Sequence, residues 1–407
     1  MTELSPESGA RPTLVALYPL TFVDEGGQVV IGRPEIDSFA VFPSDAAAVV
    51  RRIQAGDDLA TVAAWYQATY GEPADLGDFV QTLSELHFVR PAGQDDDRPT
   101  AVPPLRWQRL GTVLFSAPAL GLYALAAAMA VYLMWRVPSL RPTPSTVFFS
   151  RSLLVISFAT LMAQLVGIAL HESFHVLAGR RVGLASSLSV GRRLYFVVFQ
   201  TTLAGVLGLP ARKRILPFCA GLIADALLVS ALTGTAEVAR LAGWPVWLAR
   251  VAVGLAYVTV LRMLWQAMIF METDLCHVLA SALRCPDLHG MTRTYLRHRW
   301  ARLRQRPGQM AEQAGWTGRD LRIVRRYAPF VVVGSAVMIG FGAVTTVPVM
   351  AGFATRVYQG VADGTVGSAR FWDSALTGIA IVAQFALIGV LALVDRARGR
   401  AAARAIT

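Results

Sequence analysis

The sequence predicts a mainly α-helical fold: a polytopic membrane helix bundle of about six transmembrane helices, carrying a small N-terminal α+β domain. Three observations lead there. Hydrophobic residues make up 54% of the 407 positions, and the mean hydropathy is +0.48, too apolar for a water-soluble chain of this size. Six apolar segments are each long enough to cross about 30 Å of hydrocarbon as a helix. The charge is divided: residues 1–100 hold six arginines against sixteen acidic groups, whereas the whole chain is +11. An acidic head is therefore joined to a basic body.

Residues 1–13 are polar and partly acidic, without the apolar stretch of a secretory signal. The runs 14–23, 28–32 and 38–42 read as short strands, the first two joined at Asp24-Glu25-Gly26-Gly27, whose glycines suit a tight turn. Three short helices follow. Ser44 is the expected N-cap of a helix over 45–54, Asp58 caps a second that stops at Gly71, and Asp75 caps a third that runs to about His87. Strands followed by three helices suggest a winged-helix-like unit over 1–90. Residues 91–108 form a linker with a polar, proline-bearing start, and 109–407 form the membrane domain.

The spans are expected near 110–135, 152–178, 215–232, 246–270, 329–353 and 374–394, the third being the weakest because Asp225 interrupts it. A shorter stretch, 195–209, is rich in Val, Phe and Gly and reads as a re-entrant strand pair. Arginine sets the orientation. Seven cations lie between Arg180 and Arg214, ten arginines between Arg293 and Arg326 and four in the tail from Arg396, while the alternate loops carry two or three each. The positive-inside rule then puts both termini of this multi-pass chain in the cytoplasm. The arginine-rich 291–326 stretch is expected to lie as amphipathic helices on anionic headgroups. Nucleic acid is not an expected partner, given the acidic head.

The chemistry concentrates in His171-Glu172-Ser173-Phe174-His175, near the end of the second apolar segment. Residues four apart share a helix face, so His171 and His175 can present two imidazoles to one metal ion, with Glu172 beside them to take a proton from water. Ionisable groups at membrane depth are costly and usually functional. A catalytic zinc needs a third protein ligand. The inner end of the fourth span, Met271-Glu272-Thr273-Asp274-Leu275-Cys276-His277, lies at the same depth, and Asp274 or Glu272 would complete a His₂-carboxylate set.

Around these, Asp225 is either a polar packing contact or part of the shell behind the ligands. His277 is an interfacial or supporting group, and Glu272 is either a ligand or an interfacial partner for arginine. Gln164 shares the face of His171 and is expected to bond a partner helix. His87, His289 and His298 are expected at the surface. The three cysteines, Cys219, Cys276 and Cys285, form no CxxC pair and imply neither a disulfide framework nor a cysteine zinc site.

These motifs, together with Arg212-Lys213-Arg214-Ile215, Ala220-Gly221-Leu222-Ile223-Ala224-Asp225 and Thr273-Asp274-Leu275, resemble the site-2-type intramembrane zinc metalloproteases, peptidase family M50. They are most similar to the branch described as peptide zinc metalloproteases, which accompany ribosomally made, modified peptides. Leu283-Arg284-Cys285-Pro286-Asp287-Leu288 and Thr294-Tyr295-Leu296-Arg297 fit the same branch, and the resemblance covers about 150–300. The N-terminal region is similar in element order to PqqD-like domains, which implies a leader peptide as its partner. The resemblance implies Zn²⁺ held by His171, His175 and Asp274, Glu172 as general base, and a peptide or membrane-protein substrate. Two positions depart from the family pattern: Leu275 follows Asp274 where glycine is usual, and Met268-Ile269 stand near the usual Asn-Pro. The rival expectation is a membrane partner for the maturation, export or immunity of a modified peptide, without turnover.

Overall fold

The computed structural model describes residues 14–91, 105–193, 196–266, 268, 273–285, 287–304, 316 and 318–405. The chain is mostly helical, with a small N-terminal sheet ahead of six helices long and apolar enough to cross a membrane.

The N-terminal strands β1 (Thr21–Asp24), β2 (Gln28–Arg33) and β3 (Ser38–Pro43) form an antiparallel meander in that order. Helices α1 (Ser44–Ala55), α2 (Leu59–Tyr70) and α3 (Leu76–Glu85) cover one face. Ile31, Val50, Ile53, Val62, Leu83 and Phe88 are buried together between the layers. Asp58 and Asp75 cap their helices as expected, accepting from Thr61 and from Gly77 and Asp78. Two expectations are corrected. The first strand starts only at Thr21; before it the chain pairs elsewhere, Leu17 forming an isolated antiparallel bridge with Val89. Ser44 is the first residue of α1 rather than its cap, and its hydroxyl donates instead to the Gly27 carbonyl at 2.8 Å.

The expected first span is two helices, α4 (Gln108–Leu114) and α5 (Ala117–Arg136). Ser116 breaks the run and caps α5, and Pro118 fits the first turn, where a missing N–H costs nothing. Next come α6 (Leu153–Arg181), a hairpin of β4 (Ser186–Arg193) and β5 (Phe196–Leu203), and α7 (Ala211–Leu241). The strand pair therefore exists but begins earlier than 195. Its first strand, SSLSVGRR, is too polar to read as a strand on its own. Asp225 does not shorten the third span, since α7 runs unbroken for 31 residues.

The chain continues through α8 (Val246–Trp265), α9 (Asp274–Ala282), α10 (Leu288–Leu303), α11 (Gly318–Ala362) and α12 (Ala369–Ala405). Of the expected headgroup-lying helices, α10 is described, and part of the remaining stretch lies outside the described residues. His298 is buried within α10 rather than at the surface. The arginines around it occupy the exposed face of the same helix and hide that burial in the sequence. The helices long and apolar enough to cross a membrane, among the described residues, are α5, α6, α7, α8, α11 and α12. Helix α7 is the hub, packed against α5, α6, α8 and α9. The hydrophobic midsection of α11 has none of its residues buried, so it faces outward.

Candidate metal centre

Helix α6 buries Gly167, His171, Phe174, His175 and Ala178 against its neighbours. That spacing of four, three, one and three is one stripe of a helix, and it places both imidazoles on the α7 side. Behind them Phe174 and Ala178 pack with Phe115, Ala220 and Ala224. The ring positions are therefore set by tight apolar packing.

Helix α9 brings the third group. Its start is pinned to the end of α8: the Thr273 hydroxyl donates to the Gln266 carbonyl at 2.7 Å, and the Gln266 side-chain oxygen accepts from the Asp274 N–H at 3.2 Å. The Asp274 carboxylate then reaches both rings. Its Oδ2 lies 3.1 Å from His171 Nε2 and 3.2 Å from His175 Nε2, and the two Nε2 atoms are 3.2 Å apart. Three atoms from two distant parts of the chain form a nearly equilateral triangle.

The protons decide what the triangle is. His175 Nδ1 lies 2.7 Å from the carbonyl of Pro217, which can only accept, so Nδ1 carries the hydrogen and, in the neutral ring, Nε2 is bare. His171 Nδ1 lies 3.0 Å from Asp225 Oδ2. The other oxygen of Asp225 accepts from Arg262 Nη2 at 2.5 Å and Nε at 3.2 Å, so that carboxylate is paired with a guanidinium and offers His171 an acceptor. His171 Nδ1 is therefore also the donor, and in the neutral ring its Nε2 is bare as well. With both rings neutral, the triangle consists of three acceptors. One proton among them serves a single edge; a cation serves all three. A tetrahedral ion about 2.0 Å from each donor would set the donors roughly 3.3 Å apart, close to the edges seen. Two imidazoles, one carboxylate and a free fourth position are the donor set of catalytic zinc.

Gly221 of α7 marks where such an ion fits. A methyl group there would collide with Nε2 of both histidines, so no larger residue leaves room. Both histidines are held in the manner usual for metal ligands, with the far ring nitrogen fixed by the Asp225 carboxylate or the Pro217 carbonyl.

Glu172 is half-buried beside the triangle. Its Oε2 accepts from the Thr201 N–H at 2.9 Å, and the Thr201 hydroxyl donates to the Glu172 carbonyl at 3.1 Å. Strand β5 thus fixes one carboxylate oxygen and leaves Oε1 for other use.

The structure brings His171, His175 and Asp274 together, with Asp225 directly behind His171. His277 is exposed and stacks on Phe218 at 5.2 Å between centroids, joining α9 to α7. Glu272 lies outside the described residues. Gln164 bonds a partner helix as expected, accepting from Arg262 Nη1 at 2.6 Å. Sequence reasoning missed Arg262 and Gln266. The signal for Arg262 was present, since an arginine inside an apolar span calls for a partner at the same depth. Gln266 gave no signal, because its role depends on a turn that only the fold creates. Burial pushes the Cys285 thiol up to about 12, the mark of an inert cysteine.

The larger hollows lie elsewhere, such as one of about 1040 Å³ between the starts of α6 and α12. Set against known protein families, curated proteins and solved structures, the chain finds no match.

Proposed function

We propose that this chain is an intramembrane zinc metalloprotease that hydrolyses peptide bonds of a membrane-associated or ribosomally made, modified peptide. The observation that carries the reading is the triangle of three bare acceptors beside a carboxylate with a free oxygen. Zinc bound there supplies a Lewis acid and makes water acidic enough to deprotonate near neutral pH. Asp225 and Arg262 keep His171 in the tautomer that offers Nε2, and Pro217 does the same for His175. Glu172 Oε1 takes the proton of the attacking water and returns it to the departing amide nitrogen, while Thr201 holds Oε2 still. The packed wall of Phe115, Phe174, Ala220 and Ala224 keeps lipid and bulk water from the back of the site.

Charge supports a cytoplasmic position for both termini, and this puts the centre near the inner face of a bacterial cytoplasmic membrane, reached by water from that side. The N-terminal unit, three strands and three helices of winged-helix-like order, then faces the cytoplasm. A leader peptide is its proposed partner, by the similarity to PqqD-like domains.

Replacing Glu172 with glutamine tests the reading. The variant should keep its zinc and lose cleavage, seen as the disappearance of new N-termini when cells carrying the parent and variant proteins are compared by terminal-peptide mass spectrometry. Identical N-termini in both would remove the protease assignment. The second reading, a non-catalytic partner for a modified peptide, rests on Leu275 standing after Asp274 and on Met268-Ile269. It gains if zinc binds and no terminus changes.

A further inference from the structure

The β1–β2 turn, Asp24-Glu25-Gly26-Gly27, leaves the N-terminal unit and enters the membrane body. Glu25 is 1% exposed although it sits at the tip of a turn. Its carboxylate meets Arg214 of α7, itself 2% exposed, at 2.7 Å. Arg319, at the start of α11, donates to the carbonyls of Glu25 (3.3 Å) and Gly26 (3.1 Å). The same guanidinium donates to the carbonyls of Leu283 at 2.8 Å and Arg284 at 3.3 Å, the residues that end α9. Gly26 is required there twice over: its φ is +67°, and a methyl group would strike the Arg319 guanidinium.

Helix α9 is short, nine residues with Asp274 at its first position. A helix of that length has little stability of its own. Its front end is held by Gln266 and its back end by Arg319, which is in turn held by the turn of the N-terminal unit. Helix α7 carries Arg214 three residues before Pro217, the carbonyl that fixes His175. A second contact reaches the remaining part of the site. Asp37 accepts from the Gly205 N–H at 2.7 Å, just after β5, the strand that holds Glu172. One face of the N-terminal unit thus touches α7 and the residues just after β5, and reaches the end of α9 through Arg319.

We propose that the N-terminal unit is a built-in clamp on the metal centre: docking of Glu25 between Arg214 and Arg319 fixes α9 and so holds Asp274 against the two imidazoles. Glu25, Arg214 and Arg319 are positioning residues, and the inference rests on the metal reading given above. The clamp is made to be released. Neither Glu25 oxygen has a donor in hydrogen-bonding alignment, so the tip is held by charge in a buried setting that raises its carboxyl from the ordinary value while Arg214 opposes the rise. Whatever draws the N-terminal unit away frees the back end of α9, which couples events on that unit to the readiness of the site.

The test uses the full chain, purified in lipid nanodiscs, with two readouts: zinc affinity by competition with a chelator, and amide hydrogen exchange of residues 274–283. Glu25→Arg should weaken zinc binding at least tenfold and speed that exchange at least tenfold, while α1 keeps its protection. Adding Arg214→Glu should recover much of both. Gly26→Ala, which keeps every charge and only crowds Arg319, should reproduce the single-variant losses. Unchanged exchange and affinity in both Glu25→Arg and Gly26→Ala would overturn the clamp, as would losses that Arg214→Glu does not reduce. If the parent protein takes up no zinc, the metal reading fails, and the clamp is judged by the exchange of 274–283 alone.

Discussion

Each end of α6 meets a carboxylate from far along the chain, and the two meetings differ in kind. At the start of α6, Asp373 of α12 accepts from the Ser152 hydroxyl at 2.5 Å and from the N–H groups of Leu153 and Leu154 at 2.8 and 3.2 Å. One acceptor group meets three donors. This is a helix cap supplied in trans by another helix, and nothing about it is left unsatisfied. At the other end, Asp274 meets two imidazole nitrogens that, with both rings neutral, have no hydrogen to give. Both carboxylates are partly buried and both close long loops. The count of donors separates a carboxylate that holds the fold together from one placed where a cation could be held.

The comparison breaks most sharply at the triangle. Asp274→Ala should reduce bound zinc from one ion per chain to below a tenth, measured by elemental analysis, because two imidazoles alone do not hold a catalytic zinc. Retention of stoichiometric zinc would show that the triangle is only a hydrogen-bonded cluster. Next comes the support behind it. Arg262→Gln leaves Asp225 as a buried charge without its partner, a loss of about 3–5 kcal/mol. It should also weaken zinc binding about 10–100-fold through the orientation of His171. Unfolding in mixed micelles and chelator competition read the two effects separately. The smallest effect is expected at the far end. Asp373→Ala should cost about 1–2 kcal/mol of stability, the usual worth of a cap, and leave zinc affinity unchanged. A change in affinity there would mean that the two ends of α6 are mechanically linked.

Much of this arrangement was legible in the chain because the membrane makes polar residues conspicuous. His171 and His175 stand out as a pair four apart inside an apolar run, and matching depths at the inner ends of two spans narrow the third group to Asp274 or Glu272, of which the family resemblance implies Asp274. Arg262 and Asp225 were equally visible as charges in apolar helices, yet nothing in the sequence says that they pair with each other, since pairing depends on how α7 and α8 are rotated. Their contact turns Asp225 from an apparent weak point of its span into an anchored support for His171. The hairpin was half visible. Strand β5 carries the Val and Phe of a strand, whereas β4 does not, and only pairing makes it one. The seam between the N-terminal unit and the membrane body left no trace, because Glu25 looks like an ordinary residue of a surface turn until Arg214 and Arg319 are brought to it. Ser116 likewise gave little warning that it splits the first apolar segment.

The Asp225–Arg262 pair has a consequence for how the chain enters the bilayer. Alone, a helix with a charge near its middle resists insertion by about 2.5–3.5 kcal/mol. Helices α7 and α8 are adjacent in sequence, separated only by residues 242–245, with Asp225 near the middle of α7 and Arg262 in the last turn of α8. Delivered to the lipid as one hairpin, they can pair Asp225 with Arg262 and offset the cost of burying that carboxylate. The contact that later tunes a histidine thus also gives the newborn polypeptide a way past the translocon.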